Sequence, residues 1–417
     1  MFVEKPDPQR WIGLDLHKHY LIATGVDTDL QQVLGPQRVQ LTHLEAWIRR
    51  TITPDDALVL EMTTNTWQVY DELQPYAHSV TVVHPPHVTL ITRAQVMTDR
   101  IAALTLARLH AKGLLVGIWV PPQEVRDRRA LVTQRQKMTR LSTQATHALA
   151  ASARENRLHA VLHRHHLVPP GGDLFASAQR GWWLELPVSP LERARILCDL
   201  DTLAFAQQQV AHIDQSLVAL AAQEERLILL VQLPGVGLYT ALTILAAIGD
   251  IQRFPEARHL VGYAGLGARI HDSGLTTRTG RITKAGRRDL RTVMVEAAHT
   301  ATNTHPHWQA ELARLEPRLG HNKAIVAIAR KLLVAVWHIL TKQAADRHAD
   351  PQRVARKYLQ TAYTLGCSHR PAGQSAPAFV RQQLDRLGIG QDLTQVEWRS
   401  RKRPVPLPPS QLPAPAA

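Results

Sequence analysis

The chain has 417 residues, with 49 lysines and arginines against 35 acids and a formal net charge of +14. That length suggests two or three domains of roughly 150 residues each, and the positive excess points to a polyanionic partner, either nucleic acid or an anionic membrane. Cys198 and Cys367 are the only cysteines, which excludes a disulfide framework and zinc-ligand spacing and fits a reducing cytoplasm. The start of the chain lacks the apolar core of a signal peptide.

In the first segment, residues 1–122, short apolar runs at 11–17 and 20–26 flank Lys18 and His19, the pattern of a hairpin. Residues 33–41 supply a third strand and 44–50 have helical character. Residues 57–61 form a compact apolar strand that ends on an acid. A helix over 66–73 follows, then a strand over 79–84 stopped by Pro85-Pro86, then a helix over 95–111. Three strands, helix, strand, helix, strand, helix is the element order of an RNase H-like α/β fold.

The middle segment, 123–226, is largely helical. Leu203, Val210 and Leu217 recur every seven residues, with Ala206, Ile213 and Leu220 three residues after each. This is the seam of a coiled coil or of a long helical hairpin, and both stay open. Pro169-Pro170-Gly171-Gly172 marks a turn between the arms. His163-Arg164-His165-His166 has no carboxylate or cysteine at ligand spacing and reads as a solvated or phosphate-facing helix end.

The third segment, 227–345, reads as helical around a Gly/Arg-rich loop. Residues 227–249 carry no charge and reach the roughly 20-residue length of a bilayer span. Pro234-Gly235-Val236-Gly237 breaks the run, so helix, tight turn and second helix is the better reading, with no membrane partner. A tail begins near 346. It ends in Arg401-Lys402-Arg403 and six prolines up to Pro415, and is expected to be extended or disordered at its end.

Two-metal phosphodiester cleavage needs carboxylates that converge to hold ions roughly 3.5–4 Å apart, and Mg2+ prefers octahedral oxygen ligands. In an RNase H-like sheet the first acid sits on the first strand, the second at the end of the fourth, and others on a later helix. Asp15, Glu61 and Asp99 fit those places. A partner three residues after Asp99 would share its helix face, and that position is Ala102. Any one of these acids alone also fits an ordinary surface strand end; their order on three elements is what points to a site. Three carboxylates under-neutralise two divalent ions, so the chain is expected to be inactive or strongly impaired.

Leu233-Pro234-Gly235-Val236-Gly237 followed by Thr240-Ala241 has the form of a helix–hairpin–helix. Gly235 and Gly237 would let backbone amides approach a phosphate at the next helix N-terminus; the alternative is an ordinary helical turn. Downstream, Ser273 follows His271-Asp272. Arg278, Arg281, Lys284, Arg287, Arg288 and Arg291 then give six basic residues against one acid, Asp289, within 276–291. That density suits a DNA backbone. Ser273 reads either as a cap of a turn or helix or as a nucleophile, and a nucleophile would need activation.

Together these residues resemble the IS-one-ten family of insertion-sequence transposases, the bridge-RNA-guided recombinases. The resemblance covers roughly 10–122 and 228–342. It rests on Gly13-Leu14-Asp15, Glu61-Met62-Thr63, His84-Pro85, Thr98-Asp99-Arg100-Ile101-Ala102-Ala103, Leu233-Pro234-Gly235-Val236-Gly237, Tyr263-Ala264-Gly265-Leu266, Ser273-Gly274 and Gly280-Arg281-Ile282-Thr283-Lys284. It implies a RuvC-like domain with an Asp-Glu-Asp-Asp set, a coiled-coil linker and a mainly α C-terminal transposase domain. Asp15, Glu61 and Asp99 match the first three acids, Ala102 departs from the fourth, and Ser273 matches the serine that joins covalently to DNA. The resemblance further implies Mg2+, donor and target DNA, a structured noncoding bridge RNA, dimers that pair into tetramers, and a composite site of one subunit's acids and another's serine. The expected setting is the bacterial cytoplasm, associated with the nucleoid. Residues 143–156 match poorly, and the tail after 346 lies outside the resemblance. Two other readings stand beside the recombinase: an RNA/DNA-binding scaffold that does not cut, and a junction-resolving nuclease that uses metal-activated water.

Overall fold

The computed structural model describes residues 7–86, 88, 98–146, 157–273, 276–370, 373–398 and 404–413. Two compact units divide the chain, Met1–Pro122 and Gln123–Ala417.

The first unit is built on a five-stranded sheet. Strands β1 (Arg10–Leu16), β2 (Tyr20–Val26), β3 (Gln32–Gln40), β4 (Asp56–Glu61) and β5 (Ser79–Val83) lie in the order β3-β2-β1-β4-β5. The hairpin-linked strands β1, β2 and β3 are antiparallel, whereas β1 runs parallel to β4 and β4 to β5. Helices α1 (Leu44–Thr51), α2 (Thr66–Leu73) and α3 (Asp99–Ala111) complete the unit. The elements expected in residues 11–84 recur within a residue at each end. The last helix starts at Asp99 because Thr98 is its N-cap, its side chain accepting from the Ile101 amide at 3.4 Å; residues 95–97 lie outside the described residues.

Side chains alternate between the two faces of a strand, and that period sorts the unit into two layers. Ile12, Leu14 and Leu16 of β1 and Leu58 and Leu60 of β4 pack with Trp47, Ile48, Val69 and Leu73. Val59 and Val83 instead meet Leu106 of α3. Gly13 and Asp15, out of phase with the first set, therefore share the α3 face with Val59 and Glu61. A Cβ on Gly13 would stand 2.0 Å from the Ala103 carbonyl oxygen and 2.7 Å from the Ala107 nitrogen, so α3 rests directly on the β1 backbone. At the other end of the strand Arg10 grips the buried Asp56 through two bonds of 2.7 Å and also donates to the Thr51 carbonyl.

The second unit is mainly helical. Helices α4 (Gln123–Thr146), α5 (Arg157–Arg164), α6 (Arg180–Leu184) and α7 (Pro190–Gln223) come first. Arg128 pairs with Glu224 at 2.7 Å and Arg135 with Asp214 at 2.5 Å, so α4 and α7 run antiparallel. The seven-residue seam is thus filled within one chain: Leu203, Ala206, Ile213 and Leu217 are buried, and Val210 and Leu220 pack against the core. A small cluster around Trp183 and Leu158 closes the far end of this hairpin.

Helices α8 (Glu225–Val231), α9 (Leu238–Ile248) and α10 (Ala257–Tyr263) follow, then an antiparallel ribbon of β6 (Ala268–Ser273) and β7 (Thr276–Ile282). The charge-free run 227–249 is α8, a turn and α9, nearly all of it buried in the core of this unit. Helices α11 (Arg288–Thr304), α12 (Pro306–Leu319) and α13 (His321–Lys342) pack around it. Among the described residues only α13 is long and apolar enough to cross a membrane, and one face of it lies in this core.

Two expectations are corrected here. The Gly/Arg-rich stretch is a β-ribbon rather than an irregular loop, because Ile270, Thr276, Thr277, Thr279 and Ile282 are residues that favour the extended chain. The segment after 346 is not a loose tail. It supplies α14 (Pro351–Leu365) and α15 (Ala376–Leu387), and Tyr358, Phe379, Val396, Val405 and Leu407 enter the same core as α9.

The Gly13 contact is testable. Gly13→Ala is expected to lower stability by about 2–4 kcal/mol, since the contact is backbone to backbone and no side chain can move aside. Amide-exchange protection of β1 and α3 in the full chain measures it; unchanged protection would refute the packing argument.

Candidate active site

Asp15 and Glu61 stand at the carboxyl ends of neighbouring parallel strands. The β1–β4 register ends on the pair Leu14 with Leu60, which makes these two acids the next step. Resting α3 on Gly13 brings its first turn over the same strand ends, and Asp99 is its first residue. Asp15, His17 and Asp99 offer donor atoms that all lie within 4.8 Å of one another. Nε2 of His17 is 3.3 Å from Asp15 Oδ2 and 3.2 Å from Asp99 Oδ2. Although that atom is shielded from solvent, it makes no hydrogen bond of acceptable geometry. The His17 ring stacks on Tyr20 with centroids 4.6 Å apart, and the Tyr20 hydroxyl donates to Asp99 Oδ2 at 3.1 Å. Arg38 lies over the Tyr20 ring at 4.0 Å.

The loop after β4 braces the strand ends. Asn65 Nδ2 donates to the His17 carbonyl at 3.1 Å, and the buried Thr66 hydroxyl donates to the Glu61 carbonyl at 3.0 Å. Burial, and secondarily the neighbouring Asp15 charge, pushes the Glu61 carboxyl above its ordinary range. Burial also raises Asp15; Asp99 adds to the rise and His17 opposes it. Such a set of crowded, half-buried acids is chemically suited to a cation. Ala102, half-buried one turn along α3, brings no donor.

In the second unit, Gly235 adopts φ +77° and a Cβ there would stand 2.2 Å from the Ala297 carbonyl oxygen, so the turn is seated on α11. Gly237 is exposed and caps α9 without a side chain. Ser273 is the last residue of β6, paired with Thr276 at the ribbon's tip. At the ribbon's base, Cβ atoms on Gly265 and Gly286 would meet the Ala285 and Tyr263 carbonyl oxygens at 2.3 Å each. The two motif segments therefore pack backbone against backbone. Arg281, Lys284 and Arg288 are exposed. Arg287 pairs with Asp289, and Arg291 donates to the Ala264 carbonyl at 2.9 Å, so these two hold the ribbon's base together. The side chain of Arg278 lies outside the described residues.

A family model described as the Transposase IS116/IS110/IS902 family matches residues 228–313. A transposase for insertion sequence element IS1111A of Coxiella burnetii is 24% identical over 352 residues, 81% of this chain and 91% of its own. The protein y4qE of Sinorhizobium fredii, named as a transposase, is 28% identical over 69% of this chain and 70% of its own length. The chain belongs to the IS110-type transposase family.

The matched stretch of this transposase runs from α8 through the turn at Gly235, the ribbon with Ser273, and α11 into α12. A pilin gene-inverting protein of Moraxella bovis is 35% identical over 115 residues, 27% of this chain and 36% of its own length. A protein named for gene inversion is thus among the relatives, and the coarse class is DNA rearrangement. The structure brings Asp15 and Asp99 together with Glu61 beside Asp15. It also adds His17 and Tyr20, which the sequence reading did not single out. A signal was there for His17: it lies two residues after Asp15, on the same face of an extended chain.

The raised Glu61 has a pH consequence. Its folded value lies above the ordinary value of 4.5, so folding favours the neutral acid. That contribution is present below the ordinary value and is lost as pH rises through the raised one. Glu61→Gln is therefore expected to raise the melting temperature at pH 7, with the gain fading below about pH 4. A gain independent of pH in thermal melts would refute this electrostatic account.

Proposed function

We propose that this transposase cuts and rejoins DNA through a Ser273 nucleophile assisted by a divalent cation at Asp15, Glu61 and Asp99. The observation that carries this reading is the meeting of Asp15, His17 and Asp99 on the α3 face of the sheet, in a chain of a transposase family. The strand order β3-β2-β1-β4-β5, with acids at the ends of β1 and β4, supports an RNase H-like, RuvC-like unit.

Asp15, Asp99 and Glu61 would hold the cation, Mg2+ by family resemblance. When bound, it supplies charge to stabilise the attacking and leaving oxygens. The serine oxygen forms a bond to phosphorus as one phosphorus–oxygen bond to the deoxyribose breaks. The serine proton passes to solvent or a nearby base, and the leaving oxygen is protonated. A hydroxyl from another strand reverses the step and releases Ser273. The composite centre of a dimer or tetramer, one subunit's acids with another's Ser273, enters through the family resemblance. Exposed Arg281, Lys284 and Arg288 and the open α9 N-terminus at Gly237 would hold phosphates. The net charge of +14 supports a polyanionic partner; the structured bridge RNA enters through the family resemblance.

One observation favours the scaffold reading instead: Ala102 leaves the set one acid short. Trapping a denaturation-resistant protein–DNA adduct with the full chain separates the readings. Ser273→Ala is expected to abolish the adduct, and Asp15→Asn to lower its formation at least about 100-fold. Ala102→Asp is expected to raise it; equal yields in both forms would remove the impairment argument. Cutting that survives Ser273→Ala would mark a nuclease that uses water. Replacing Arg281, Lys284 and Arg288 with alanine is expected to lower the slope of log affinity against log salt by up to about 3, measured by fluorescence anisotropy on duplex DNA. An unchanged slope would remove them from the interface.

A further inference from the structure

We infer that His17 is a direct metal ligand, and that its nitrogen makes this site select a cation such as Mn2+ or Zn2+ over Mg2+. The inference rests on the cation-binding part of the proposed function and deepens it.

Three features of the geometry support it. First, Nε2 of His17 lies 3.3 Å from Asp15 Oδ2 and 3.2 Å from Asp99 Oδ2. Two donors that each bind one ion at ~2.0–2.2 Å sit about 3.0–3.5 Å apart for bond angles between square and tetrahedral. Second, the bland alternative is an imidazolium that neutralises two acids. Such a group would direct its N–H at a carboxylate oxygen. Here Nε2 is shielded from solvent and meets hydrogen-bond geometry with neither neighbour, although its closeness to Asp15 opposes the rise of that carboxyl. The donor atoms of Asp15, His17 and Asp99 nonetheless lie within 4.8 Å of one another. Third, the ring is held from behind. It stacks on Tyr20, whose hydroxyl is bonded to Asp99, and the His17 backbone donates to the Tyr20 carbonyl at 2.9 Å and accepts from Asn65. The stack fixes the ring plane, and the two hydrogen bonds fix the backbone that carries it.

The chemistry then follows from the donor set. Mg2+ favours oxygen and binds nitrogen weakly, whereas imidazole suits Zn2+ and the later first-row ions, and Mn2+, itself an oxygen-preferring ion, accepts it more readily than Mg2+ does. Ala102 offers no oxygen donor on the α3 face, whereas His17 offers a nitrogen donor to the cluster. That donor set differs in character from one built of acids alone.

Pulsed electron paramagnetic resonance of Mn2+ on the full-length protein tests this without any activity assay. The wild-type spectrum is expected to show 14N modulation from a directly bound nitrogen. His17→Gln should abolish that modulation and weaken Mn2+ binding about tenfold or more, with less than about threefold change for Mg2+ by competition. Ala102→Asp should move the Mn2+/Mg2+ affinity ratio toward Mg2+. Mn2+ bound to the wild type without 14N modulation, yet lost in Asp15→Asn, would overturn the His17 assignment while leaving the cation site intact. A wild-type protein that binds no Mn2+ overturns both. Tighter Mn2+ binding by His17→Gln would overturn the assignment in favour of a neutralising imidazolium. The wild-type spectrum decides alone, so a variant that fails to fold does not shelter the claim.

Discussion

The acidic site depends on the bare backbone of Gly13. Any side chain there would collide with the α3 main chain, at 2.0 Å from the Ala103 carbonyl oxygen. Because the helix can press onto β1 at that point, its first turn overlies the strand ends. Thr98 caps the helix, and the first turn is a favourable place for the negative charge of Asp99. Glycine costs the strand some entropy and packing, and the return is a short gap between Asp15 and Asp99 that no longer residue permits. The Arg10–Asp56 pair steadies the opposite end of the same strands, so the register that sets Asp15 beside Glu61 is held at both ends.

The second unit is organised around α9, an apolar helix buried almost throughout its length. A buried helix must satisfy its terminal polar groups. Its carboxyl end is met by three arginines: Arg129 donates to the Ala246 and Ala247 carbonyls, Arg253 to Ile248 and Arg226 to Gly249, all at 2.8–2.9 Å. Positive charge there also suits the helix dipole, although burial draws Arg129 and Arg253 below the ordinary arginine range. The amino end has no such partner. Gly237 caps it with no side chain and lies exposed, while Gly235 pins the turn to α11. One end of the helix is thus anchored by side chains inside the unit, whereas the other carries no side-chain cap.

The first unit was legible because its signals are local. The apolar runs of β1, β2 and β4 alternate or end on an acid, and Thr66–Leu73 has a clear helical period. Asp15, Glu61 and Asp99 could be placed because each falls at an element boundary that the sequence marks. His17 and Tyr20 were harder to see, since their partnership depends on the β1–β2 hairpin register and on α3 arriving from 79 residues away along the chain. The β6–β7 ribbon was hidden by its glycines and arginines, which read as a loop unless the two strands are known to pair. Helices α14 and α15 carry good caps, Asp350 and Ser375, but their burial is decided by α8 and the turn after it. Tyr358 donates to the Ile228 carbonyl, and Lys357 to that of Leu233, contacts spanning more than 120 residues. No composition signal reports a contact of that range. Proline-rich sequence near Val405 likewise gives no hint that Val405 and Leu407 are core residues.

Ala102 gains a physical meaning from this arrangement. A fourth acid one turn beyond Asp99 would add negative charge to a cluster in which burial already raises Asp15 and Glu61 and neighbouring acids push both further. Without a cation that charge is repulsive, so alanine relieves the folded protein of part of an electrostatic cost, in the usual opposition between stability and a charged active site. Holding a cation reverses the preference, because each lost carboxylate removes both a ligand and a counter-charge. As the proposed ligand, His17 would answer only half of that loss. Neutral imidazole supplies a coordinating atom and no negative charge, so an ion held by Asp15, Asp99 and His17 keeps more of its own positive charge than one held by acids alone. Such an ion draws a phosphate oxygen more strongly but is itself bound less tightly by simple attraction. On the proposed reading, affinity for a cation at Asp15, Asp99 and His17 would rest more on donor chemistry than on charge.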